Sequence, residues 1–143
     1  MGAADNDAAF LRYAVGLSAL GVAYLHVQDG VGNGAASTWF GKVTTDGFHG
    51  KCEPVTLAKL RSVFTSGGLI GNGGYTAESA AARIGSGDAT AISFGRSYMN
   101  NPDLAERFKA GTPLEPLPPK EAWFEPSAKT RADPAWGYTK SGG

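Results

Sequence analysis

Two short apolar segments that each run into glycine constrain the fold of this chain more than any other feature. Leu69-Ile-Gly-Asn-Gly-Gly-Tyr-Thr76 and Ala91-Ile-Ser-Phe-Gly-Arg96 are separated by one helix-length of sequence. Each segment is typical of a β-strand that ends where the backbone must turn tightly or approach something closely. Strands joined by a helical crossover are parallel, so the two glycine turns are expected side by side at one edge of a sheet.

The rest of the chain is predicted to alternate between helices and strands. Apolar residues at helical spacing, with start and stop signals, predict four helices: 6–20, Thr56 to Phe64, 77–84 and Asn101 to Gly111. Short apolar runs that end in turn residues predict three strands: 22–27, 69–72 and 89–94. Asn101-Pro102-Asp103 predicts a helix capped by Asn101, with Pro102 at its first position. Residues 30–54 are predicted to be an irregular loop. This order predicts an α/β fold with three parallel strands.

The two glycine turns form a candidate phosphate site. Backbone N–H groups at Gly73-Gly74 and Gly95-Arg96 can converge on one anion, because no Cβ holds the backbone away from it. The N-terminus of helix 77–84 adds a favourable dipole, and Arg96 adds a charge-assisted hydrogen bond. In (β/α)8 barrels a phosphate commonly sits after the last two strands. The alternative is that both glycines are ordinary strand-to-helix turns.

Charge and composition exclude several partner classes. The chain has 13 basic and 13 acidic residues and no basic stripe, so nucleic acid and anionic membranes are not expected partners. No apolar run approaches the roughly 18 residues of a membrane span. The acidic N-terminus lacks the pattern of a signal peptide, and the single Cys52 cannot form an internal disulfide, so a cytoplasmic location is expected.

Other reactive side chains give no catalytic or metal constellation. His26 lies within a predicted strand and is interpreted as a packed core histidine, while His49 is interpreted as a loop residue. With Cys52 they are too few and too isolated for a metal site. Asp29 is an acid at the carboxyl end of a strand, although the preferred interpretation is a turn-former before Gly30.

Several motifs in order resemble the carboxyl-terminal part of the Old Yellow Enzyme family of FMN-dependent NAD(P)H oxidoreductases. The resemblance rests on Gly73-Gly-Tyr-Thr76, Ala91-Ile-Ser-Phe-Gly-Arg-Ser-Tyr98, Asn101-Pro-Asp-Leu104 with Arg107-Phe108, Gly111-Thr-Pro-Leu114 and Gly137-Tyr-Thr139. It covers nearly the whole chain and is most specific over residues 69–114. The family fold is a (β/α)8 TIM barrel, so the resemblance implies a partial barrel of the last three βα units, strands six to eight.

The resemblance also implies roles for individual residues. Gly73, Gly74, Gly95 and Arg96 correspond to the residues that bind the FMN phosphate, and Trp123-Phe124 correspond to an aromatic pair near the flavin. Phe124 replaces a frequent Tyr, and Lys140-Ser-Gly-Gly143 stands where Asp-Tyr-Pro is usual. Residues 1–114 are therefore expected to be the carboxyl-terminal part of the barrel domain, and residues 115–143 a Pro/Gly-rich tail.

The catalytic residues that the family takes from its earlier strands have no counterpart in this sequence. The opening Met1-Gly-Ala-Ala-Asp-Asn6 resembles an internal stretch after strand five, so Met1 is expected to be an internal methionine with the missing strands encoded upstream. In the complete enzyme NAD(P)H would reduce FMN, and the flavin would reduce an activated C=C bond of a small alkene. The isolated chain is expected to be inactive, and its bare strand edges allow self-association. The alternative is a catalytically inactive fragment that acts only in assembly.

Overall fold

A computed structural model describes residues 6–29, 37–38, 41–42 and 55–117 of the chain. Their helices and strands, in chain order, are α1 Asn6–Ala19, β1 Tyr24–Gln28, β2 Ser37–Thr38, β3 Gly41–Lys42, α2 Leu57–Val63, β4 Gly68–Asn72, α3 Ala77–Gly85, β5 Ala91–Ser93, α4 Arg96–Asn100 and α5 Leu104–Ala110. The chain divides into two compact units, Met1–Ser93 and Phe94–Gly143. Within the described ranges, no helix is both long and apolar enough to cross a membrane.

The first unit contains a three-stranded parallel sheet in the order β1-β4-β5. His26 of β1 pairs with Ile70 of β4, which pairs in turn with Ala91 of β5. The sheet order follows the chain order, and α2 and α3 lie in the connections between successive sheet strands. The predicted parallel α/β arrangement is therefore confirmed. The described residues of the predicted irregular loop 30–54 are those of the antiparallel pair of β2 and β3.

One face of the sheet packs against helices, and the other carries more exposed side chains. Leu69 is fully buried, and a Cβ on Gly71 would lie 2.8 Å from Leu57 Cδ1 of α2 and 2.9 Å from Ile92 Cδ1 of β5. Glycine at position 71 therefore lets α2 approach the sheet closely. Tyr24, His26 and Gln28 of β1 lie on the other face, and Tyr24 is 59% exposed.

Helices α2 and α3 begin where the sequence predicts, because their caps depend on local hydrogen bonds. The Thr56 hydroxyl accepts from the Lys59 backbone N–H at 3.2 Å. Thr76 and Ser79 form a reciprocal capping box, in which each side chain accepts from the backbone N–H of the other residue. Helix α2 places Leu57 and Leu60 in the core of the first unit.

The flanking sheet strands differ from the prediction at their ends. The strand predicted over 22–27 is observed as Tyr24–Gln28, and the strand predicted over 89–94 is shortened to Ala91–Ser93. The Ala89 N–H donates to the Arg83 carbonyl at 3.2 Å, so this residue belongs to the turn that follows α3. The Thr90 hydroxyl accepts from the Leu69 N–H at 3.1 Å and replaces part of the strand ladder.

The second unit contains α4 and α5, and it corrects the prediction that Asn101 caps a helix. Asn101 is buried, its side-chain amide donates to the Ser97 carbonyl at 2.9 Å, and its side-chain oxygen accepts from the Glu115 N–H at 2.8 Å. Asn101 therefore ties the end of α4 to a segment farther along the chain, and α5 begins at Leu104. The predicted stop at Gly111 is confirmed by its left-handed φ of 66°.

Candidate anion site at the carboxyl edge of the sheet

The three parallel strands of the first unit end at one edge of the sheet. Asn72, at the end of β4, pairs with Gln28 of β1 on one side and with Ser93 of β5 on the other. In open α/β sheets and in barrels, ligands bind outside the carboxyl ends of the strands. This edge is therefore the part of the described structure in which a ligand site is expected.

The turn after β4 brings Gly73 and Gly74 next to the start of α3. Both residues have positive φ angles, 113° and 78°, which side chains with a Cβ rarely adopt. The conformation of the turn therefore requires glycine at both positions, whether or not a ligand is bound. The turn leads directly to Thr76, the N-cap of the nine-residue helix α3.

The first turn of α3 stabilises negative charge. The pKa of Glu78 in this turn is lowered, first by a hydrogen bond from its own backbone N–H and then by the Thr76 side chain. A phosphate near the same N–H groups would gain from the same hydrogen bonds and helix dipole. In this structure those N–H groups serve the Thr76–Ser79 capping box and the Glu78 carboxylate.

Asp29 lies buried beside this turn and contacts both of its flanks. Its exposed fraction is 3%, its Oδ2 accepts from the Tyr75 hydroxyl at 2.6 Å, and its Oδ1 accepts from the Asn72 backbone N–H at 3.3 Å. Burial raises the pKa of Asp29, and the hydrogen bonds from Tyr75 and Asn72 oppose that rise only in part. The interpretation of Asp29 as a turn-former before Gly30 did not anticipate its burial or its hydrogen bonds with Tyr75 and Asn72.

A cluster of three polar side chains, one from each strand, links the three sheet strands. His26 Nε2 lies 2.7 Å from Ser93 Oγ, and the Asn72 side-chain amide donates to the same oxygen at 2.7 Å. His26 is exposed, so its interpretation as a packed core histidine is wrong. The error has a physical cause, because sequence alternation did not reveal which face of β1 the helices would cover.

Gly95 and Arg96 belong to the second unit. Gly95 has a φ of −85°, and a Cβ built on it would meet no described atom within 4 Å. Neither the backbone conformation nor packing among the described residues therefore requires glycine at this position. Arg96 is the first residue of α4, a short helix that the sequence did not predict. Trp123 and Phe124, the predicted aromatic pair near a flavin, lie outside the described residues.

The parallel sheet of the first unit has its strands in chain order and the Gly73-Gly74 turn at its carboxyl edge. These features place the first unit in the α/β class and fit part of a barrel. No protein-family model matches the chain. Comparison with known proteins nevertheless identifies its relatives. The 12-oxophytodienoate reductase 7 of Oryza sativa subsp. japonica is 35% identical over 120 residues, which cover 82% of this chain and 27% of that protein.

Solved structures give the same result. The Old Yellow Enzyme homologue NCR from Zymomonas mobilis has 35% identity and a TM-score of 0.65 over 87% of this chain and 31% of its own. Morphinone reductase in complex with tetrahydroNAD has 32% identity and a TM-score of 0.59 over 80% of this chain and 26% of its own. The resemblance to the Old Yellow Enzyme family is confirmed, and the homologues of this chain are oxidoreductases of that family. The chain spans about a third or less of the length of these relatives.

Proposed function

We propose that this chain is the carboxyl-terminal part of an FMN-dependent oxidoreductase and that its role is to hold the FMN phosphate. The observation that carries the proposal is the sequence and structural similarity to reductases of the Old Yellow Enzyme family over most of the chain. In this proposal β1, β4 and β5 are strands six, seven and eight of a (β/α)8 barrel. Their order in the sheet, which follows the chain, supports that assignment.

The proposed phosphate contacts are Gly73, Gly74, Gly95 and Arg96. The support for the first pair is geometric, since the left-handed turn at Gly73 and Gly74 leads directly to the N-terminus of the nine-residue helix α3. For Gly95, the support is that neither φ nor packing demands glycine. Close approach of a ligand to the backbone is a physical reason for a missing Cβ at such a position. Arg96 would add a charge-assisted hydrogen bond to the phosphate.

The complete enzyme is proposed to use NAD(P)H and to reduce the activated C=C bond of a small alkene, with FMN supplying the redox chemistry when it is bound. The presence of tetrahydroNAD with morphinone reductase, a similar structure, supports a nicotinamide donor. Trp123 and Phe124 are proposed to lie near the flavin. A cytoplasmic location and self-association through the outer strands β1 and β5 complete the proposal.

The phosphate role is tested by comparing FMN with riboflavin, which lacks only the phosphate. Quenching of flavin fluorescence by the full chain gives the two dissociation constants. The Gly95→Val variant places a branched side chain where the phosphate would approach, so its FMN affinity should fall about tenfold or more, as expected for loss of a charge-assisted hydrogen bond of about 1.5–3 kcal/mol. Its riboflavin affinity should change little.

Ser97→Val is the matched control, because it introduces the same side chain two residues later in α4. Its FMN affinity should stay close to that of the unaltered chain. Equal affinities of the unaltered chain for FMN and riboflavin would contradict the phosphate site. Complete absence of flavin binding would favour the alternative of an assembly fragment.

A further inference from the structure

The Asp29 carboxylate holds the Gly73-Gly74 turn from both of its flanks. One oxygen accepts from the Asn72 backbone N–H before the turn, and the other accepts from the Tyr75 hydroxyl after it. A third link joins the same segments, since the Asp29 backbone N–H donates to the Asn72 carbonyl at 2.9 Å. The end of β1 is thereby fixed to the residues that flank the turn.

We propose that Asp29 and Tyr75 are positioning residues that fix the Gly73-Gly74 turn in the conformation that binds a phosphate monoester. The proposal rests on the proposed function, because it assigns to that same turn the FMN phosphate. Neither side chain contacts the ligand in this proposal. They act through the backbone of the turn, whose amide directions decide how well an anion is held.

Burial makes this pair an effective clamp. Asp29 is 3% exposed and Tyr75 is 8% exposed, so water competes little for their 2.6 Å hydrogen bond. The two glycines have no side chains that could hold their own backbone in place. Without the clamp, the turn would therefore be held by fewer contacts and would sample more conformations, which glycine adopts at little cost.

The geometry also requires a hydrogen-bond acceptor at both oxygens of Asp29. Two donors, an amide N–H and a phenolic hydroxyl, meet the two oxygens of one carboxyl group. Asp29→Asn keeps the shape but leaves one neutral oxygen as acceptor, and its NH2 group can donate to the Tyr75 oxygen, so the variant replaces two hydrogen bonds to a carboxylate by weaker neutral ones. Tyr75→Phe keeps the buried ring and removes only the hydroxyl. The two variants thus weaken the clamp from opposite ends.

The first measurement is hydrogen exchange on the full chain without any ligand. Amide exchange in peptides that cover Asn72 to Thr76 should accelerate about tenfold in both variants, which is the change expected for loss of one hydrogen bond. Exchange in α5, which lies in the other unit, should not change. The Glu106→Gln variant removes an exposed carboxylate in α5 and serves as the control.

The second measurement is the ratio of the riboflavin to the FMN dissociation constant. A positioning role predicts that both variants lower this phosphate preference about tenfold while riboflavin affinity stays unchanged. General loss of folding would weaken both flavins equally and leave the ratio intact. The ratio therefore separates a positioning role from a purely structural one.

The outcomes distinguish this inference from the proposed function. If the unaltered chain prefers FMN but both variants keep that preference, the phosphate site stands and the clamp is overturned. If the unaltered chain shows no preference for FMN, the phosphate site itself is overturned. If Asp29→Asn does not fold, Tyr75→Phe decides, because it keeps the carboxylate and the ring.

Discussion

At the scale of the residue, Asp29 couples the folding of the first unit to pH. Its carboxyl group loses hydration on folding, and this loss outweighs the hydrogen bonds from Tyr75 and Asn72, so the pKa of Asp29 in the folded chain is raised above 3.8. The folded chain consequently holds this proton at pH values where the unfolded chain has lost it. The free energy of unfolding then contains a term that decreases with rising pH.

The prediction is that this term is lost in Asp29→Asn. For the unaltered chain, stability from Asp29 is greatest below pH 3.8, falls as pH rises through the window between 3.8 and the raised folded pKa, and is constant above it. Urea unfolding at a series of pH values should therefore give a difference between the unaltered chain and the variant that changes within this window. Thr112→Ala, which changes no titratable group, is the control and should show no such difference from the unaltered chain. Two parallel pH profiles for Asp29→Asn and the unaltered chain would contradict the assignment.

Residues whose partners are distant in sequence are the ones that sequence reasoning misplaced. Asp29 meets Tyr75 and Asn72 across 46 and 43 residues, and no local pattern carries that information. The exposed position of His26 likewise depends on which face of the sheet the helices cover. By contrast, the glycines at positions 73 and 74 could be predicted to end a strand, because their left-handed φ angles are a local requirement.

At the scale of the element, local hydrogen bonds decide which predictions hold. Thr56 and Thr76 cap α2 and α3 as predicted, because a threonine hydroxyl reaches the backbone three residues ahead. Asn101-Pro102-Asp103 carries an equally strong local signal, yet the Asn101 side chain binds Ser97 and Glu115 instead. Tertiary hydrogen bonds there outweigh the capping preference.

The Thr76 cap should contribute measurably to the stability of the first unit. Thr76→Ala removes the hydroxyl that accepts from Ser79 and disrupts the capping box, so the free energy of unfolding should fall by about 1 kcal/mol. Urea unfolding followed by circular dichroism measures the change. Thr112→Ala, at an exposed threonine after α5, is the control and should change stability by less than about 0.5 kcal/mol. Equal losses in the two variants would argue against the cap.

At the scale of the whole molecule, the chain matches about a third or less of each compared relative. The described sheet has β4 between β1 and β5, which are its two outer strands. A parallel strand is ordinarily covered on both faces and paired on both edges. The α/β class could be predicted from the sequence because the Gly73-Gly74 turn and the Thr56 and Thr76 caps are local signals that separate strands from helices.

We expect that the chain by itself does not catalyse alkene reduction. The chain spans about a third or less of the compared relatives, so a flavin bound to it would lack whatever the rest of those proteins supplies to the substrate. The measurement is NADPH oxidation in the presence of FMN and an activated cyclic enone, with the 12-oxophytodienoate reductase 7 of Oryza sativa subsp. japonica as the positive control. Enone-dependent turnover by this chain above the rate of free FMN would disprove the expectation.

The sheet register also bears on the order in which we expect the strands to pair as the chain folds. The hydrogen bond between Leu69 of β4 and Thr90, just before β5, closes a loop of 21 residues. The hydrogen bond between Asn72 of β4 and Asp29, just after β1, closes a loop of 43 residues. Closing a loop twice as long costs about 0.6 kcal/mol more in chain entropy. The β4-α3-β5 segment is therefore favoured to form first, and β1 to dock onto it afterwards. During synthesis β1 leaves the ribosome before β4, so the edge of β1 that pairs with β4 stays open until the later strands have formed.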